Sequence, residues 1–375
     1  MANRRIYYPV HSVAIAPLGT TNYTTSHVVR GLQNAGSTLT FNLEQIFEIG
    51  QLEIYENIES VPIIEITLEK VFDGYPLIYH LATVGATDPS LAGRQNAQVM
   101  VAMNIFDDTY QGASGTPLAE VINSGCSVSA LTYTLPTEGS CTESVTLVSN
   151  NRIWRYSGFQ FTGKFLAGGP ADIDTPLALR LSGSGGVQRR EDVLFLPKPG
   201  EATNFPSGLS LDTNGQLDTT LVTILPREIG GITSSGLNPI GSDGFYTAKV
   251  QTITISTNLG RQELNQLGHR TPYYRFVSFP VEVTTTIETT ATIGDGISGT
   301  ENGILGDGNN LSTHTIRVRM RDNTRFNLGK QNKLQSISVT GGDTGGGNMT
   351  LSYTYVNNNS LTVTQPQDPS GFGPV

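Results

Sequence analysis

The groups available for acid–base, nucleophilic or metal chemistry are five histidines, two cysteines and 32 carboxylates. His11, His27, His80, His269 and His314 stand apart from one another, none at i, i+3 or i+4, and none beside Cys126 or Cys141. Zinc ligation through a local motif is therefore unsupported, and each histidine reads as a surface or interface residue. Gly294-Asp295-Gly296-Ile297-Ser298-Gly299 has the letters of a dinucleotide-phosphate loop. Such a loop must open directly into a helix, whereas the residues after it up to Asn310 read as loop, so a hairpin tip is the better description. Asp295, Glu301 and Asp307 offer oxygens for Ca²⁺ in the same stretch, without the EF-hand spacing. No G-x-S-x-G, P-loop or S-x-x-K with its companions occurs. Carboxylates can pair from distant strands, but nothing singles out such a pair. The expectation is a non-enzymatic chain with no cofactor and no metal.

The remaining charged groups sit on strands and connections. Arg317, Arg319 and Arg321 alternate with Ile316, Val318 and Met320, which places three guanidinium groups on one face of a strand. They suit ion pairs with acidic groups of a neighbouring subunit, such as Glu65 and Glu69, or equally a charged sheet edge that resists aggregation. Glu65 and Glu69 lie on the strongest strand pattern of the chain, residues 61–71, opposite Ile64, Ile66 and Leu68. Glu44, Glu48, Glu53, Glu56 and Glu59 crowd a segment that reads as a long connection, either one that reaches a neighbour or an ordinary surface loop.

The elements that carry these groups are predicted to be strands. Charged residues are 15% of the 375-residue chain, against about 25% in ordinary soluble domains. Glycine is abundant, at 42 residues, and threonine recurs in alternating runs. β-branched residues favour strands and glycine favours turns. The expected class is all-β and mainly antiparallel, with a sandwich- or barrel-forming core, long loops and at most a short helix near residues 89–96. Residues 1–36 read as an irregular N-terminal arm, 37–166 and 243–356 as the β core, 167–242 as a loop-rich insertion or second small domain, and 357–375 as a Pro/Gly-rich tail. Residues 77–81 and 97–106 are expected as strands, the latter in preference to a helix.

Cys126 and Cys141 flank a hairpin whose turn centres on Thr137-Glu138-Gly139. That register sets Cys126 against Asn150 and Cys141 against Leu135, so both are expected as reduced thiols. The net charge of −9 argues against a basic nucleic-acid binder. No run approaches the ~20 apolar residues of a membrane span. Arg4-Arg5 matches the start of a twin-arginine signal, but the apolar run behind it is short and contains Pro17. Synthesis in a cytoplasm is expected.

Three patterns carry a resemblance. Cys126 to Val148 with Trp154 beyond, including Glu138-Gly139 and Thr142-Glu143-Ser144-Val145-Thr146-Leu147, resembles a hairpin of bacteriophage tail tube proteins. Val61-Pro62 to Asp73-Gly74 and Arg275-Phe276 to Glu282-Val283 are similar to the strands around it. The likeness spans parts of 37–165 and 245–356 and leaves 167–242 without a counterpart. It implies hexameric rings whose strands join into one barrel, stacked into a virion tail conduit through which viral DNA passes without sequence-specific contact. Implied partners are copies of itself, a sheath or terminator and a baseplate, with no membrane. Glu65 and Glu69 then face the lumen or a subunit contact, with Arg317, Arg319 and Arg321 as inter-subunit candidates, and the Glu44–Glu59 segment reaches the next ring. The alternatives are another phage structural protein, such as a terminator, baseplate or capsid-decorating component, and a secreted β-rich adhesin or carbohydrate binder. The weak export signal and a single Trp, at 154, count against the last.

Overall fold

The computed structural model describes residues 11–20, 25–41, 43–50, 52–59, 62–105, 119–149, 151–156, 186–195, 222–226, 229, 249–269, 272–290, 313–341 and 348–371. The chain is all-β and antiparallel, as its composition predicts. Its strands are β1 (His11–Pro17), β2 (Leu32–Thr40), β3 (Leu43–Phe47), β4 (Ile54–Glu59), β5 (Ile63–Val71), β6 (Val99–Ile105), β7 (Ala119–Pro136), β8 (Thr142–Ser149), β9 (Asn151–Tyr156), β10 (Val250–Asn258), β11 (Gln262–Leu264), β12 (Tyr274–Phe276), β13 (Glu282–Thr290), β14 (Arg317–Arg319), β15 (Arg325–Asn327), β16 (Lys333–Thr340), β17 (Thr350–Asn358) and β18 (Thr362–Thr364). Two short helices, α1 (Ile78–Ala82) and α2 (Leu91–Arg94), lie between β5 and β6.

Eight strands run side by side in the order β16-β17-β13-β10-β7-β8-β5-β2. Every neighbouring pair along this path is antiparallel. β7 is 18 residues long because it serves two sheets. Its second half pairs with β8 and β10, and its first half pairs with β6 and β9. The change falls at Gly125, whose φ of +68° belongs to the left-handed region that a side chain disfavours.

The inward face of the large sheet follows strict alternation. Ile64, Ile66 and Leu68 on β5, Val145 and Leu147 on β8, Leu131, Tyr133 and Leu135 on β7 and Ile253 and Ile255 on β10 are all buried. Against them packs a three-stranded sheet, β14-β15-β18. The layers meet through aromatic rings: Phe326 of β15 lies 4.8 Å from Tyr133 of β7, and Phe72 stacks on Tyr133 at 6.2 Å. One continuous apolar cluster joins both layers with α1 and β1.

Several elements differ from the sequence reading. The N-terminal arm contains a strand, β1, whose small residues Ala14 and Ala16 give a weak pattern; it pairs with β6 along its whole length. The acidic connection is a two-stranded hairpin, β3–β4. Residues 78–82 form a helix where a strand was expected, because all five are buried and a carboxylate from β8 holds the helix start. Burial and capping override the strand preference of Ile78 and Tyr79. The short helix near 89–96 is α2, capped by Ser90 rather than Asp88: the Ser90 hydroxyl accepts from Gly93 N at 3.1 Å. Residues 97–106 do give a strand, β6. The Pro/Gly-rich tail is packed into the core as far as Asp368. Both cysteines are free and buried, with Cys126 opposite Val99. Residues 158–165, the loop 294–310 with its glycine pattern and its calcium-type oxygens, and most of 167–242 lie outside the described residues.

Candidate assembly surfaces

The outward face of the large sheet is built of hydroxyl groups. Alternation that sends Leu131, Tyr133 and Leu135 inward sends Thr132 and Thr134 outward. The antiparallel register then aligns these residues across the strands. One rung runs Thr142, Thr134, Thr254, Thr286, Thr354 and Ser336 over six adjacent strands. The next runs Glu69, Ser144, Thr132, Ser256, Thr284, Val356 and Lys333. At about 4.8 Å between strands, this is a broad polar lattice with little charge. Glu65 is exposed and Glu69 half-buried, both on this face. Their cross-strand neighbours on β2 are Thr38 and Asn34, and no ion pair within the described residues ties them down.

Among the described residues the eight-strand path ends at β2 and β16. Among the described residues β2 pairs only with β5, and β16 only with β17. Neither strand contains proline, and the single lysine of the two is Lys333, at the very start of β16. Natural edges are usually blunted by such residues.

Large exposed apolar side chains gather at one end of the sheet. That end is marked by the register pairs Thr40–Ile63, Ile64–Ser149 and Glu282–Asn358. From it rise the β3–β4 hairpin, with Leu43, Ile46, Phe47, Ile49, Leu52, Ile54, Tyr55 and Ile58 exposed; β9, with Ile153 and Trp154 exposed; and a finger formed by β11 and β12, with Leu264, Leu267 and Tyr273 exposed. The Arg152 guanidinium lies 5.3 Å over the Trp154 ring. At the opposite end, among the described residues, Val187, Val339 and Met349 are the large apolar groups exposed. Glu44, Glu48, Glu53, Glu56 and Glu59 all belong to the hairpin and its tip, exposed and interleaved with its apolar residues.

The three arginines are separated by the fold. β14 spans only Arg317–Arg319, and Arg321 lies in the following turn. Arg319 is buried and donates to Asn323 Oδ1 at 2.6 Å. Arg321 lies 3.8 Å from Asp192. Arg317 is half-buried. The fold therefore does not bring the three onto one open face, nor next to Glu65 and Glu69 of the same chain.

A second polar constellation, buried in the core, escaped the sequence reading. Glu143 of β8 accepts the N–H groups of Ile78 at 2.5 Å and Tyr79 at 3.1 Å, satisfying the first donors of α1. Burial pushes its carboxyl up to about 7, against the opposing pull of Lys70 and these backbone donors. Lys70, its cross-strand partner, donates to Asp73 Oδ1 at 3.1 Å and Pro76 O at 2.9 Å. The C-terminal segment completes the clamp. Gln365 accepts from Leu77 N and donates to Tyr75 O, while Arg94 pairs with Asp368. His80 contacts Val363 O at 3.1 Å, and burial lowers its pKa to about 4. The signal was present: Lys70 and Glu143 occupy inward positions of their strands, where the alternation otherwise places apolar residues.

Among the described residues no group of three His, Cys, Asp or Glu could hold a metal ion, and no helix is long and apolar enough to cross a membrane.

No protein-family model and no curated protein matches the chain. Some solved structures are similar to part of it. The tube-terminating cap of the anti-feeding prophage aligns with 11% identity and a TM-score of 0.30, over 42% of this chain and 95% of that one. The sheath/tube terminator of PVC, an extracellular contractile injection system, aligns with 11% identity and a TM-score of 0.30, over 41% and 99%. A chain of the anti-feeding prophage baseplate gives 12% and 0.32, over 42% and 98%. At these scores the alignments carry no inference about this chain.

Proposed function

We propose that this protein is a structural component of a phage-type tail that closes head-to-tail into rings, in the manner of a tail tube subunit. The observation that carries this reading is the pair of open edges. Along the eight-strand path directions alternate, so β2 and β16 run oppositely. A neighbour's β16 laid against β2 therefore continues the antiparallel pattern without interruption. Such a heterologous contact closes into a ring when the rotation allows and removes both unprotected edges. Rings of six, as the tail-tube resemblance implies, would stack into the conduit.

The hydroxyl lattice supports the same reading. In a closed barrel one sheet face lines the lumen. A lumen of Thr and Ser hydroxyls with Glu65 and Glu69 gives a polyanion no cluster of cations to bind, so DNA slides. The apolar end favours a second assignment within the same class. A subunit in the middle of a tube needs two complementary ends, whereas a terminator or cap needs one. Sheath or terminator and baseplate proteins are the partners such an end would meet. Arg317 and Arg321 remain inter-subunit candidates; Arg319 is committed within its own chain.

The test is assembly. Purified protein should form rings in negative stain and sediment as a discrete oligomer. The variants Thr38→Lys/Thr40→Lys on β2 and Ser336→Lys/Ser338→Lys on β16 should each weaken assembly at least tenfold while leaving the monomer folded. A wild-type monomer at high concentration, or full assembly by both edge variants, would sink the ring.

A further inference from the structure

We infer that β2 of one copy pairs with β16 of the next in one staggered register, with Leu39 against Ile337, Thr38 against Ser338 and Ser37 against Val339. The inference rests on the ring closure proposed above and adds to it which residues meet at the seam.

The two edge strands occupy different stretches of the sheet. Followed rung by rung across the eight strands, Lys333 of β16 stands level with Asn34 of β2, and Leu334 with Leu32. The rest of β16 starts at Ser336, level with Val71 of β5, and runs on outside the span of β2. The rest of β2, Ala35 to Thr40, lies level with Leu68 to Ile63. There the chain before Lys333 has left the sheet, and Asn332 bridges to His314 instead. Flush closure would join two rungs and leave most of both edges bare.

The faces fix the parity of the pairing. Leu39 shares the inward face with Ile64, and Ile337 and Val339 share it with Tyr353 and Leu351. Ile64, Tyr353 and Leu351 are buried, yet Leu39 is 36% and Val339 43% exposed. Ile337 is half-buried. A slip of one residue would turn one strand's apolar set onto the hydroxyl face, so only steps of two are allowed. Leu39 against Ile337 lays all of Ser336 to Thr340 on Gly36 to Thr40. Thr40–Ser336 and Thr38–Ser338 then carry the hydroxyl lattice across the seam. One step of two leaves Leu39 without an apolar partner. The opposite step shortens the contact to Thr38, Leu39 and Thr40.

The geometry of closure selects the same register. It slides Ser336, level with Val71, to Thr40, level with Ile63, a shift of about 27 Å along the strands. Equivalent strands of adjacent copies lie eight strand spacings apart, about 38 Å. That ratio tilts the strands by about 35°, which meets the roughly 35–45° typical of closed barrels. Flush pairing gives no tilt, and the shorter of the two alternative slides gives only about 28°. At the inferred tilt, copies displaced along their strands stand level about the ring axis.

The experiment is disulfide capture across the seam. Cys126 and Cys141 are buried, with thiols pushed up to about 12 by burial, so they stay silent. Full-length protein carrying Thr38→Cys with Ser338→Cys, oxidised after assembly, should give a ladder of cross-linked dimers, trimers and higher species. Thr38→Cys with Ser336→Cys or with Thr340→Cys should give far less, and Asn34→Cys with Lys333→Cys, the flush pair, none. Leu39→Asp should weaken assembly by about tenfold or more, because the seam would bury its charge, while Leu39→Val should not. A ladder strongest from any of the other three pairs, or indifference to Leu39→Asp, would overturn the register while leaving the ring intact. Dimers from Thr38→Cys alone would replace the seam with a β2–β2 contact and overturn it too. A wild-type chain that never assembles would instead remove the ring, and this seam with it.

Discussion

The Glu143 carboxylate accepts the Ile78 N–H at 2.5 Å, so a strand of the large sheet caps a helix of the facing layer. This contact adds a polar tie to the apolar packing between the two layers and places a carboxyl where water does not reach. Burial raises its pKa to about 7 from 4.5. Between those values the folded state holds a proton that the unfolded state has released. The stability that Glu143 contributes is therefore full below about pH 4.5 and is lost as pH rises through 7. His80, with a lowered value, slopes the other way between about 4 and 6.5. Glu143→Gln keeps His80 and removes the first slope. Denaturation of both proteins from pH 4.5 to 8 should show the stability difference shifting in favour of Gln by up to ~3 kcal/mol. A difference independent of pH would refute the assignment.

The pair of Arg94 and Asp368 fastens the C-terminal segment to the α1–α2 region. Both side chains are buried. Asp368→Ala leaves a buried guanidinium without its carboxylate and should cost about 3–5 kcal/mol, seen as a lower urea midpoint. Asp368→Asn, which keeps an acceptor, should cost less. Equal, small effects would mean that the segment is held by Gln365 and Val363 alone.

Much of this architecture was legible in the chain. The period-two alternation of Ile64, Ile66 and Leu68, and of Leu131, Tyr133 and Leu135, fixed which faces turn inward, and Thr137-Glu138-Gly139 marked the turn between β7 and β8. What alternation does not encode is the partner of each strand. The division of β7 between two sheets depends on pairing with β6 and β9, far away in sequence. α1 was hidden because Ile78 and Tyr79 prefer strands until Glu143 arrives from 64 residues on. Glu65 and Glu69 share a face of β5, since residues an even number apart on a regular strand do. Arg317, Arg319 and Arg321 obeyed the same arithmetic but not the same fold, because β14 stops at Arg319.

Gly125 tests the split of β7. At φ +68° an alanine is strained even though no atom lies within 4 Å of its Cβ. Gly125→Ala should destabilise the chain by about 1–2 kcal/mol, measured by chemical denaturation. A neutral result would mean that the bend relaxes elsewhere along the strand.

Glu65→Lys/Glu69→Lys probes the polar face. Both positions lie on the outward face, Glu65 exposed and Glu69 half-buried, so folding should change by about 0.5 kcal/mol or less per site. The double variant should retard duplex DNA in a gel shift that fades with added salt, whereas wild type should not. Ring stacking or genome passage should suffer. Unchanged assembly and infectivity would remove these carboxylates from the lumen.

The alternating order of the eight-strand path has an evolutionary corollary. Closure of β2 on a neighbour's β16 works because the strand number has even parity. Gain or loss of one strand would set the two edges parallel and spoil the seam in every copy at once. Gain or loss of a hairpin would leave the seam untouched. Related chains that keep this mode of closure should therefore differ in sheet width by two strands at a time, and their ring size should be free to vary independently of it.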